Sequence, residues 1–115
     1  PQGRHQGGQI LPGFRLMTES LGQSTSDLPL VDIDTPQALR NTSGLANSTN
    51  AAIAQGVLGA ILGAVERSLR SLTKTYSEVT VILTGGDAEI IHDHLQHAAE
   101  LRPHLVLEGL ARTLA

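Results

Sequence analysis

Four groups of residues have types and spacings that could do chemistry. His92, Asp93, His94 and His97 place four metal-ligating side chains in one short stretch. On a helix His92 and His94 stand about 200° apart, so only His94 with His97, or Asp93 with His97, share a side. Two ligands without a third make a poor zinc site, and the cluster reads as a solvated helix face. Asp32 and Asp34 alternate along Leu28–Asp34 and would share one strand face. Magnesium sites are built this way, but no polar constellation accompanies the pair, and an exposed strand face carries the same pattern. No metal ligand is assigned.

The other two groups sit at helix starts. Ser48, Thr49 and Asn50 precede a long apolar-periodic segment. All three are favoured N-cap types, and a hydroxyl there can also meet a ligand, because the first helical N–H groups point the same way. Val79–Leu83 is a β-rich run that ends in Thr84, Gly85 and Gly86, and Asp87 then opens a second helical segment. A strand running into two glycines and a helix is either a plain turn or a place where backbone approaches a ligand closely. An aspartate at the cap would occupy the free N–H groups and repel an anion. The glycines therefore suit a neutral part of a ligand, such as a nucleoside, better than a phosphate.

These groups need elements to position them. Pro12-Gly13 starts a helix whose apolar face is Phe14, Leu16, Met17 and Leu21, ending at Gly22. Before it, Gly7–Leu11 is a short extended piece. Leu28–Asp34 is a strand, and residues 37–48 form a loop or short helix and then a polar loop. A long helix is predicted over Thr49–Lys74, with Ile53, Val57, Ile61, Val65, Leu69 and Leu72 as its buried stripe. Its small-residue face, Ala52, Gly56, Gly59, Ala60 and Gly63, needs compensation, since each helical Gly costs up to about 1 kcal/mol relative to Ala. Close approach of a sheet or of a partner subunit would supply it. Strand Val79–Leu83, helix Asp87–Glu100, strand Leu105–Leu107 and helix Glu108–Ala115 complete the expected order.

Composition narrows the field. The chain has 115 residues, enough for one small domain, with 12 Gly, 2% aromatics and no Cys. A core of Leu, Ile, Val and Ala suits an α/β layer fold. The formal charge of −3, with eight scattered basic residues, argues against a nucleic-acid surface. Without Cys there is no thiolate zinc site or cysteine nucleophile, which fits a reducing cytoplasm. The uncharged interval between Arg40 and Glu66 starts with polar residues, and its apolar remainder falls short of the roughly 20 residues of a spanning helix. A soluble chain is expected. With Pro1 first, no leader is visible and a fragment is expected.

Five motifs stand in order: Gly7-Gly8-x-Ile10-x-Pro12-Gly13 with Leu16-Met17; Leu28-Pro29; Thr49-x-x-Ala52-Ile53-x-x-Gly56; Thr84-Gly85-Gly86; and Leu105-Val106-Leu107-Glu108-Gly109-Leu110. The series resembles the C-terminal half of type III pantothenate kinases, the family that includes the Bvg accessory factor. The resemblance covers nearly the whole chain. It implies an α/β fold, a ribonuclease-H-like domain of the actin-like ATPase and sugar kinase superfamily with a mixed sheet flanked by helices. Residues 1–115 would be the C-terminal domain of a two-domain kinase whose active site lies between the domains.

The resemblance further implies ATP-dependent phosphorylation of pantothenate, the first step of coenzyme A synthesis, by a cytoplasmic homodimer using magnesium and a monovalent cation, potassium or ammonium. The family's adenosine motif falls on Thr84, Gly85 and Gly86. Its pantothenate-contacting threonine, reached across the dimer interface, matches Thr49. Ser48 stands where the family often has Asn. The family's phosphate-binding loop, catalytic aspartate and cation-binding aspartate belong to its N-terminal half, so this chain supplies no catalytic residue and is expected to be inactive alone. The alternative is a non-catalytic accessory or regulatory protein of the same fold.

Overall fold

A computed structural model describes residues 2–24 and 45–114. It contains an α/β arrangement with four helices and one small parallel sheet among those residues: α1 (Phe14–Ser24), α2 (Thr49–Thr75), β1 (Ile82–Leu83), α3 (Ala88–His94), β2 (Glu100–Leu101) and α4 (Leu105–Thr113). The chain divides into two compact units, residues 1–57 and 58–115. The expected strand Leu28–Asp34, with Asp32, Asp34 and the Leu28-Pro29 motif, lies outside the described residues.

In the first unit α1 begins just after Pro12-Gly13, with Gly13 O accepting from the Met17 N–H at 3.0 Å. Phe14 and Thr18, one turn apart, are its buried residues. Burying the Thr18 hydroxyl is tolerable because it donates to the carbonyls of Phe14 and Arg15, each at 2.9 Å. Leu16 and Leu21, expected on the apolar face, are exposed. Gly7–Leu11 belongs to no strand, and Ile10 is fully exposed.

The long helix runs one residue beyond its predicted end. Ser48 caps it: its Oγ accepts from the Ala51 N–H at 3.4 Å while its carbonyl accepts from Ala52 N–H at 2.8 Å. Lys74 in the last turn complements the helix dipole. The buried stripe differs in detail from the predicted one. Ala54, Val57, Leu58, Ile61 and Leu69 are buried, Ile53 and Val65 are half-buried, and Leu72 is 38% exposed. Ala54 and Leu58 join because the stripe is wider than a single every-fourth-residue row. By length and composition α2 meets the requirement for a membrane-crossing helix, contrary to the count made from the uncharged interval; core helices of soluble proteins meet it too.

The small-residue face of α2 is solvent-facing: Ala52, Gly56, Gly59, Ala60 and Gly63 are all exposed. A Cβ built on Gly56, Gly59 or Gly63 meets nothing within 4 Å. Close approach of a sheet within the chain, one of the two expected compensations, is therefore not found among the described residues.

In the second unit β1 and β2 pair in parallel, Ile82 with Glu100 and Leu83 with Leu101. The ladder is carried by Glu100 N–H donating to Val81 O and Arg102 N–H donating to Leu83 O, both at 2.9 Å. α3 packs on both strands and buries Ala88. Two expectations are corrected here. The helix predicted over Asp87–Glu100 stops at His94, because Leu95 is extended (φ −76°, ψ 134°). Leu95 is itself buried, and the chain beyond it returns to lay Glu100–Leu101 beside β1. The strand predicted at Leu105–Leu107 is the first turn of α4. Pro103 and His104 form the turn into it, and the Glu108 N–H donates to His104 O at 2.8 Å, so the apolar run is read by a helix. Arg102 ties the end of β2 to α4 through Glu108 at 2.6 Å and lies 3.6 Å from Glu100. The Glu108 hydrogen bond and charge raise the Arg102 pKa above its ordinary value.

The burial pattern yields a stability test. In the full-length protein Leu58→Ala lowers unfolding free energy by about 2–5 kcal/mol, because Leu58 is only 3% exposed. Leu72→Ala lowers it by less than about 1 kcal/mol. Urea denaturation monitored by circular dichroism measures both, and equal losses would contradict the observed stripe.

Candidate functional site

The Thr84-Gly85-Gly86-Asp87 turn leaves β1 at its carboxyl end, where open α/β sheets place their ligands. Gly85 adopts φ +100°, a conformation L side chains rarely take, which explains a glycine there. The turn closes through Ala88 N–H donating to Gly85 O at 3.3 Å. Both glycines are exposed, and a Cβ on either meets nothing within 4 Å. The open space is a cavity of about 300 Å³ lined by Leu83, Gly85, Gly86, Ala88, Glu89, Leu101 and Pro103. That volume is at the lower end of the ~300–1,000 Å³ of small-molecule sites. Thr84 stands at the exposed strand end but is not among the lining residues.

The pocket's polarity disfavours phosphate. Among the described residues that line it, Glu89 alone is charged, and Asp87 precedes the helix it begins. Arg102 lies between two lining residues but is held by Glu108. Contrary to the expectation from the sequence, Asp87 makes no side-chain cap hydrogen bond. Its φ of −99° and ψ of 6° are not the extended values of an N-cap, so its carboxylate does not occupy the helix N–H groups. Its charge still opposes an anion.

Thr49 belongs to a second, open groove in the first unit. This cavity of about 590 Å³ is walled by α1 and the first two turns of α2: Met17, Ser20, Leu21, Thr49, Ala52, Ile53, Gly56 and Val57. The three candidate polar residues at the helix start separate by role. Ser48 takes the cap, and the exposed Thr49 hydroxyl makes no hydrogen bond among the described residues. Thr49 thus offers an uncommitted donor and acceptor at the edge of an apolar groove.

The histidine cluster does not assemble. His94 Nδ1 lies 2.8 Å from Ile90 O, which accepts its proton. His92 lies 3.7 Å from Asp93, and His97 follows the helix rather than extending it. Among the described residues no three His, Asp or Glu side chains are placed to hold a metal ion.

Sequence reasoning missed Glu89, Leu101 and Pro103 as parts of the glycine pocket. Leu101 and Pro103 were hidden by placing the last strand at Leu105–Leu107. Glu89 had a signal in its position one turn after the glycines.

A family model described as type III pantothenate kinase matches residues 1–71. A protein of Cupriavidus pinatubonensis named type III pantothenate kinase is 39% identical over 110 residues, covering 95% of this chain and 40% of its own length. One of the same name from Janthinobacterium sp. strain Marseille is also 39% identical, over 94% of this chain and 41% of its own length. Another, from Synechococcus sp. strain JA-3-3Ab, is 36% identical over 96% of this chain and 46% of its own. The chain therefore spans less than half the length of these relatives.

The two glycines of the turn differ in what they tolerate. Gly85→Ala destabilises by roughly 1–3 kcal/mol, because it forces a side chain into a sparsely populated backbone region. Gly86→Ala changes stability by less than about 1 kcal/mol, since it has neither positive φ nor a neighbour to strike. Thermal denaturation of the two variants checks the contrast, which equal shifts would refute.

Proposed function

The chain belongs to the type III pantothenate kinase family, and we propose that the full-length protein phosphorylates pantothenate with ATP, the first step of coenzyme A synthesis. The observation that carries this is the glycine turn at the carboxyl ends of a parallel strand pair, opening onto a phosphate-averse pocket of about 300 Å³.

In this reading residues 1–115 form the C-terminal ribonuclease-H-like domain of a two-domain, actin-like kinase. Gly85 and Gly86 form the nucleoside floor, with Thr84 at its edge. The phosphates point away from Asp87 and Glu89 toward the rest of the protein, which also provides the group that takes the proton from the pantothenate hydroxyl. Thr49 contacts pantothenate through its uncommitted hydroxyl. The exposed glycine face of α2 meets its counterpart in a homodimer, which supplies the close backbone approach that the chain itself does not. Magnesium and potassium or ammonium serve the phosphoryl transfer, and among the described residues no three His, Asp or Glu side chains are grouped to hold a metal ion. The fragment by itself is inactive. The net negative charge of the chain argues against a nucleic-acid surface, its lack of cysteine fits a reducing cytoplasm, and α2 is read as the core helix of a protein that does not enter membranes.

Pantothenate-dependent ADP release by the full-length protein tests the activity, and its absence would overturn the assignment. Two substitutions separate the sites. Thr49→Val raises the pantothenate KM about 2–10-fold, the worth of one hydrogen bond of ~0.5–1.5 kcal/mol, with a smaller effect on the ATP KM. Gly86→Val places a branched side chain in the glycine pocket and raises the ATP KM about ten-fold, an overpacking cost of ~1–3 kcal/mol, with a smaller effect on pantothenate. Equal effects of either variant on both substrates would reject its site.

A further inference from the structure

We propose that Glu89 selects the sugar of the nucleotide, its carboxylate accepting hydrogen bonds from the ribose 2′- and 3′-hydroxyls. The proposal rests on assigning the glycine pocket to the nucleoside and adds the residue that sets its specificity.

The pocket has two kinds of surface. Leu83, half-buried, and Leu101 and Pro103, both exposed, are apolar, a surface that the flat face of a base would shield from water. Glu89 is the charged member of the lining, stands in the first turn of α3, and is exposed. It takes part in no ion pair or side-chain hydrogen bond among the described residues. An ionised carboxylate is an acceptor only, with two oxygens. Its two oxygens suit a pair of adjacent donors, and the vicinal diol of a ribose supplies such a pair. A phosphate offers the same carboxylate only repulsion, so the residue also orients the nucleotide, sugar inward and phosphates outward. In dinucleotide-binding α/β folds an acidic residue, there about 20 positions beyond the glycine turn, accepts from a ribose hydroxyl by the same chemistry. The base stays on the apolar wall, which makes Glu89 a reader of the sugar rather than of the base.

The test compares ATP with 2′-deoxy-ATP, 3′-deoxy-ATP and inosine triphosphate in the full-length protein, as wild type, Glu89→Ala and Glu89→Gln, by coupled ADP release. Wild type favours ATP over either deoxy analogue about ten-fold in kcat/KM, as expected for a hydrogen bond to a charged acceptor. That ratio falls to near one in Glu89→Ala and to an intermediate value in Glu89→Gln, whose amide oxygen still accepts. Wild type that uses ATP and the deoxy analogues equally, or a Glu89→Ala protein that keeps the preference, would overturn the proposal. A loss of preference confined to inosine triphosphate would place the base, not the sugar, at Glu89 and would also overturn it. Should Glu89→Ala fail to fold, the wild-type analogue series and Glu89→Gln decide. Gly86→Val separates the two levels: an unchanged ATP KM removes the pocket itself, while a raised ATP KM with an intact sugar preference in Glu89→Ala removes only the role of Glu89.

Discussion

Two backbone hydrogen bonds organise the second unit. By donating to Val81 O and Leu83 O, the N–H groups of Glu100 and Arg102 hold the ends of two very short strands side by side. Parallel strands need a crossover between them, and α3 provides it, anchored by the buried Ala88 at its start and Leu95 just past its end. Everything at the glycine pocket follows from this pairing. Leu83 and Leu101 reach its wall from paired positions, the Gly85 turn leaves one strand, and Pro103 follows the other. Leu95 leaves the helix in an extended conformation, and the chain beyond it sets Glu100 opposite Ile82.

The charge around this pocket decides which part of a ligand it suits. A helix start following a glycine turn usually attracts anions. Here Asp87 and Glu89 surround that start, and the nearby cation, Arg102, is engaged by Glu108. The geometry of close backbone approach is kept while its electrostatic preference is reversed. Such a site suits an uncharged group, which is the part assigned to the nucleoside in the proposed function.

The long helix does two things at once, on different faces. Its buried side, from Ala54 through Leu69, consists of side chains shielded from water, whereas its glycine side is bare. At its start Ser48 satisfies the backbone and leaves the Thr49 hydroxyl uncommitted at the groove. Had Thr49 itself been the cap, its hydroxyl would be engaged by the helix. A shift of one residue in the cap thus decides whether the threonine is structural or available to a ligand.

The sequence by itself determined what depends on neighbours along the chain. The long helix was legible to within a residue because many apolar positions repeat at helical spacing, and Gly85 was legible because a strand, two glycines and an aspartate in succession leave few backbone solutions. The ordered motifs identified the family, and the family model and relatives agree. Only the tertiary structure decided which short apolar run becomes the second strand. Leu105-Val106-Leu107 and the region around Leu101 are similar in local preference, and the choice falls to the partner strand, whose carbonyls accept from Glu100 and Arg102 and leave Leu105–Leu107 to form a helix. That long-range pairing also brought Leu101 and Pro103 to the pocket that holds Glu89. Hydrogen bonds between residues far apart in the chain leave no periodic trace in it, and so the walls of the pocket could be seen only once it was folded.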